Sequence, residues 1–360
     1  MVGDQRKGRI SPPQSCYCNV LLLVDSETGA RLIYTASQFK NEVDVLEIRL
    51  GTIGDMVDVV VLAEATVDQR GRPKELEFPK HQERFAPWAD KIRYVVVDDM
   101  PAGTRHADDV ARERWQRDAL IRGMYDIKPL DLVYVSDLDE IPTQYALSDA
   151  LNNPPMRFPM DLHVYALNWR WLDRGCRAGT LGGVVLGQKI LELGVCGAIL
   201  WDSSVPSRGA LSGHHLTYQG GVEKIRSKIT GMMDKAIDLI DKGALARGLT
   251  VADILTDDWI LESITTGRDV FAREYRPSEW VGLEDMPMYV REHPEKFSHM
   301  MVPEPLHKPT EPRCTCGGIY EPNGMLAHFS RCALAALPET LLHPDADDIG
   351  GLRAVSRNRG

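Results

Sequence analysis

Apolar positions along the chain gather into short runs that alternate between two periods. Asn19–Asp25, Met56–Ala65, Lys91–Asp98 and Asp131–Ser136 are Val-, Ile- and Leu-rich stretches of strand length, the pattern of strands covered on both faces. The segments between them read as helices. Glu42–Leu50 carries Val43, Leu46, Ile48 and Leu50 at mixed spacing, and Asn41 is placed to cap it. Asp108–Tyr125 puts Val110, Trp115, Leu120 and Ile121 on one side. Strands and helices in alternation predict an α/β fold, a doubly wound, mostly parallel sheet with flanking helices. Farther on, Leu162–Trp169 and Thr180–Leu186 read as strands, and Val222–Lys242 and Val251–Thr266 as helices.

The polar breaks suggest boundaries. Residues 1–18, with Pro12-Pro13, read as a loose arm, and 19–302 as the main domain. Prolines at 303, 305, 309 and 312 mark a linker over 303–313. A small module follows over 314–342, then a polar tail over 343–360. Charge narrows the partners: 42 Lys and Arg against 52 Asp and Glu give a net charge of −10, which disfavours a non-specific hold on nucleic acid or an anionic membrane. No apolar run approaches the roughly 18–20 residues of a membrane span, and the start lacks the apolar core of a signal peptide. A cytoplasmic protein is therefore expected. The seven cysteines, an odd number, agree with a reducing compartment.

The sharpest local chemistry is Ser136-Asp137-Leu138-Asp139-Glu140-Ile141-Pro142, directly after a core strand. In an extended segment, residues i and i+2 face the same way, so Asp137 and Asp139 are expected to aim into one crevice at a strand's carboxyl end, where open α/β sheets bind ligands. Paired carboxylates there suit Mn²⁺ or Mg²⁺ bridging to a diphosphate, and so a nucleotide-sugar transferase. A second cluster lies near the C-terminus: Cys314, Cys316, His328 and Cys332 form the donor set of a structural Zn²⁺ site.

The chain also resembles glycosyltransferase family 17, the β-1,4-mannosyl-glycoprotein 4-β-N-acetylglucosaminyltransferase family. The likeness is carried by Phe39-Lys40-Asn41-Glu42 with Val43–Leu50, by Gly71-Arg72-Pro73-Lys74, by Glu83-Arg84-Phe85 and by Trp115-Gln116-Arg117-Asp118. It continues through Ser136–Pro142, Tyr165–Trp169, Gly213-His214-His215 with Tyr218 and Gly220-Gly221, and Gly267–Phe271. The resemblance implies a GT-A-type fold and metal-dependent, inverting transfer from a UDP-sugar to a glycan or protein acceptor. It implies metal ligation by Asp139 and Asp137, with His215 completing the shell. Lys74, Arg84 and Arg117 are expected to neutralise the diphosphate, and Asn41 and Glu42 to hold the uridine. The general base is left among Glu140, Asp257, Asp258 and Glu262. Trp169 and Trp171 are candidates for the floor of a sugar pocket.

His214 stands where the family has Trp, and the family's His in the following helix is replaced around Met232-Met233-Asp234. With no Golgi anchor recognised, a microbial or viral-type member is expected, and an acceptor other than a secretory N-glycan. Two other readings remain open at this point: a sugar-phosphate nucleotidyltransferase, and a non-catalytic zinc-bearing binding protein on a transferase scaffold.

Overall fold

The computed structural model describes residues 31–103, 106–172, 182–199, 212–231, 240, 243–273 and 278–305. The chain divides between Arg31 and Leu32, and the elements below all belong to the unit that begins at Leu32. The expected arm, the strand at Asn19–Asp25, the module with Cys314, Cys316, His328 and Cys332, and the tail lie outside the described residues.

Strands β1 (Ile33–Phe39), β2 (Val59–Ala65), β3 (Ile92–Val97), β4 (Leu132–Val135), β6 (Met156–Arg157) and β9 (Gly183–Leu186) form a six-stranded sheet in the order β3-β2-β1-β4-β9-β6. The pairs β3–β2, β2–β1 and β1–β4 are parallel, whereas β4–β9 and β9–β6 are antiparallel. Helices cover both faces of the parallel part. On one side α1 (Val43–Ile53) contributes Val43, Leu46 and Leu50 to a cluster with Phe39, Val60, Leu62, Phe78 and Phe85. On the other, Ala119 and Leu120, just after α3 (His106–Asp118), join Val195 and Ile199 of α5 (Gly187–Ile199) against Val61, Ala63, Val133 and Val135. The architecture is mixed α/β with a parallel core, and it fits the GT-A-like expectation.

The sheet is less uniformly parallel than expected, and a second sheet accompanies it. Strands β5 (Glu140–Pro142), β7 (Asp161–Val164), β8 (Trp169–Trp171), β10 (Gly213–Thr217) and β11 (Ser278–Trp280) pair in the order β11-β8-β7-β10-β5. The stretch read as one strand from Leu162 to Trp169 breaks at Tyr165, where φ is 66°, and becomes β7 and β8. Helix α6 (Gly221–Gly231) packs on α8 (Asp257–Thr266). The single helix expected over Val251–Thr266 is two, α7 (Val251–Ile254) and α8, because the Thr256 side chain accepts from the Trp259 amide and starts a new helix.

Trp169 and Trp171 belong to this second core. Trp169 is 1% exposed and donates Nε1–H to the Ile264 carbonyl at 2.8 Å. Gly267 ends α8 at φ 69°, and a Cβ there would stand 2.7 Å from the Trp169 ring. Neither indole is a sugar platform; both are packing residues, a correction to the sequence reading.

Candidate functional site

In the order β3-β2-β1-β4 the chain leaves β1 towards β2 on one side, while β4 joins on the other. The crevice outside the carboxyl ends of β1 and β4 is thus the topological switch point of the sheet, where such folds bind ligands. Lys40, Asn41 and Glu42 follow β1 into it, and Ser136 and Asp137 follow β4. At the same place the chain crosses from the first sheet to the second. The Asp-x-Asp segment is a tight turn between β4 and β5, closed by the Glu140 amide donating to the Asp137 carbonyl at 3.2 Å, rather than an extended segment. Leu138 is 4% exposed and anchors the turn in the core beneath α1.

One residue holds this turn in place, and the sequence reading did not single it out. Arg49, on α1, is 1% exposed. Its Nη1 donates to the carbonyls of Glu140 at 2.8 Å, Asp137 at 3.2 Å and Leu138 at 3.4 Å. Its Nη2 donates to Thr35 Oγ1 of β1 at 2.7 Å, and the guanidinium lies 4.9 Å from the Tyr134 ring centre. The fork of guanidinium donors suits several carbonyls presented by one turn. An Arg inside an apolar helix was the available signal.

The two aspartates meet different cations. Asp137 accepts from Arg117 Nη2, at the end of α3, at 2.5 Å. Asp139 has Lys228 Nζ of α6 at 3.0 Å from Oδ2 and His215 Nε2 of β10 at 3.4 Å from Oδ1. Antiparallel pairing of β10 with β5 sets His215 opposite Glu140 and so brings its ring to the turn. Burial would raise the Asp139 carboxyl, but Lys228 and His215 outweigh it and hold it well below the usual carboxylate range. Burial would likewise lower His215, but Asp139 lifts it to about 9.

Lys40 adds a further charge. Burial lowers its ammonium, against the pull of Glu42 and Asp68, and Lys228 and Lys74 push the same way as burial. The Glu42 carboxylate turns back to accept the amides of Lys40 at 3.2 Å and Asn41 at 3.1 Å. Glu42, not Asn41, stands at the N-cap of α1, and no side chain caps that helix; the expected Asn41 cap is off by one residue.

The remaining candidates are scattered. Lys74 pairs at 2.7 Å with Glu64, which is buried at the end of β2. Arg84 pairs with Asp44 at 2.7 Å and with Glu47, both on α1. Asp257 pairs with Arg226, and Glu262 with Arg268 at 3.1 Å, while Asp258 is exposed at the start of α8. The structure therefore assembles Asp137, Asp139, His215 and Arg117 around one turn, with Lys228 added, while Lys40 lies against α6 at Gly231. It places Lys74 and Arg84 on other carboxylates.

A divalent ion needs several donors free to converge on it. Among the described residues no three His, Cys, Asp or Glu side chains do so. Asp137 Oδ1 faces Arg117, and both Asp139 oxygens face cations. As folded, this donor set does not fit a bound Mn²⁺ or Mg²⁺.

The other face of β10 carries His214. His163 Nδ1 lies 2.7 Å from the Leu167 carbonyl, and its Nε2 lies 3.2 Å from His214 Nδ1. Neutral rings satisfy both contacts if each donates from Nδ1. Burial pushes His163 down to about 4 and His214 to about 3. These two stay neutral in the fold but take protons when unfolded, so their contribution to stability is lost as pH falls below the ordinary value of 6.5. His215 has the opposite sign: its contribution is complete below 6.5 and is lost as pH rises through about 9. Thermal midpoints measured from pH 5 to 10 should show His215→Gln flattening the alkaline limb and His214→Gln altering only the acid limb. The same alkaline slope in wild type and His215→Gln would contradict the assignment.

Residues 13–174 match the family described as glycosyltransferase family 17. Beta-1,4-mannosyl-glycoprotein 4-beta-N-acetylglucosaminyltransferases of Rattus norvegicus and Homo sapiens are 30% identical over 159 residues, which is 41% of this chain and 29% of each relative. The chain thus aligns with less than a third of their length. Both similarities are to glycosyltransferases, N-acetylglucosaminyltransferases among them. The family match takes in β1 to β8 and the Asp-x-Asp turn; the likeness seen at Gly213–Tyr218 and Gly267–Phe271 lies beyond it. Among solved structures, that of a 4-diphosphocytidyl-2C-methyl-D-erythritol synthase overlaps 46% of this chain and 79% of its own, at 13% identity and a TM-score of 0.29. An overlap that low does not separate one α/β fold from another. No helix among the described residues is long and apolar enough to cross a membrane.

Proposed function

We propose that this chain transfers a sugar, N-acetylglucosamine or a related hexose, from a UDP-sugar to a hydroxyl of a glycan or protein acceptor, with inversion at the anomeric carbon. The observation that carries the reading is the Asp137–Asp139 turn at the switch point of the sheet, flanked by Arg117, Lys228 and His215, with Lys40 against the same helix as Lys228. The acceptor oxygen forms a bond to the anomeric carbon as the bond from that carbon to the diphosphate breaks. Negative charge then develops on the departing UDP, and fixed cations already in the crevice stabilise it without reorganising. Asn41 and Glu42, at the end of β1, are the proposed uridine contacts. The acceptor's proton passes to a carboxylate, for which Glu140 beside the turn and Asp258 on α8 are the proposed candidates.

Titration of UDP, GDP and CDP should give the tightest binding for UDP, each tenfold preference corresponding to about 1.4 kcal/mol. Equal affinity for the three nucleotides would remove the UDP assignment.

A further inference from the structure

The charge that a divalent ion would bring to the departing diphosphate is already present in this crevice on side chains. Lys228 reaches from α6 to Asp139 Oδ2 at 3.0 Å, with the Tyr218 ring 5.4 Å from its Nζ. An ammonium has three donors, and the salt bridge uses one. Lys40 enters from the end of β1 and its Nζ lies against α6 at Gly231, where a Cβ would stand 2.9 Å from it. Among the described residues Lys40 Nζ has neither a hydrogen-bond acceptor nor an ion-pair partner. Glu42 acts on it through space, but its carboxylate is turned onto backbone amides. A part-buried ammonium without a counter-charge is costly to keep, and an arriving anion removes that cost. A divalent ion at Asp139 would have to displace Lys228 from the oxygen it holds.

We propose that Lys228, seated on Asp139, and Lys40, packed against the end of the same helix, bind the donor's diphosphate directly, so that this chain takes up its donor without a divalent cation. The inference rests on the UDP-sugar reading above. During transfer the bond between the anomeric carbon and the β-phosphate oxygen breaks. The electron pair stays on that oxygen and is met by the two ammonium groups.

The test is calorimetric titration of the full chain with UDP and with UMP, in EDTA and in Mn²⁺. Wild type, Lys228→Gln and Lys40→Gln are compared, with a thermal melt of each to check folding. Wild type should bind UDP within about threefold equally in the two buffers, and each variant should weaken UDP in EDTA by about tenfold or more while moving UMP by less than about threefold. UDP binding by wild type only with Mn²⁺ would overturn the inference and leave the donor reading standing. This arm needs no variant to fold. Unchanged UDP affinity in both variants, or equal losses of UDP and UMP, would overturn the role of the lysines. No UDP binding in either buffer would overturn the donor reading, and this inference with it.

Discussion

Replacing Asp139 with Ala is expected to lower sugar transfer by at least about 10²-fold, because Asp139 seats Lys228 and misplacing that ammonium is on the scale of losing a principal electrostatic stabiliser of the leaving group. Both oxygens of this carboxylate are engaged, one by Lys228 and one by His215. Its removal takes away the carboxylate that keeps His215 charged against burial, and frees the Lys228 ammonium from its position. Asp139→Asn keeps the shape and removes the charge, so it should fall nearly as far. The comparison is kcat/KM for a UDP-sugar, with circular dichroism to confirm folding. A folded Asp139→Ala variant within about tenfold of wild type would exclude Asp139 from the transfer step.

The second large effect belongs to Arg49. Arg49→Met is expected to cost at least about 3 kcal/mol of stability, because the buried carbonyls of Asp137, Leu138 and Glu140 lose their charged donor together. Activity should fall as well, since the same turn carries Asp137 and Asp139. Arg49→Lys keeps the charge but not the fork and should recover only part of the loss. Urea unfolding of the three proteins measures this directly, and a variant within about 1 kcal/mol of wild type would show that the turn does not depend on the clamp.

These residues also mark where the sequence was legible and where it was not. β2 and β4 stand out as apolar runs because each is buried along its length, whereas the edge strand β3 is only part-buried and was legible from its valines. β1 is the central strand of the same sheet and went unread. Its Ile33–Phe39 run is broken by Thr35, Ser37 and Gln38, and Thr35 is polar because it meets Arg49. The mixed spacing in α1 has the same origin. That helix is buried nearly all round, Glu47 and Arg49 included, so no single apolar stripe exists to be found. The Asp-x-Asp motif was legible from its place after a strand, but its geometry was not, because the turn is imposed by Arg49 and by pairing with β10. Lys228 lies between Ile225 and Ile229 of the apolar stripe that defines α6, and only the packing of α6 beside the turn shows what it reaches.

The central claim is that this turn activates a UDP-sugar. Its most direct test is release of UDP from UDP-N-acetylglucosamine by the purified full chain, with and without a hydroxyl acceptor, beside Asp139→Ala. The account predicts UDP release by wild type and a loss of at least about 10²-fold in the variant. UDP release by Asp139→Ala at the wild-type rate, or none by wild type from any UDP-sugar, would contradict it.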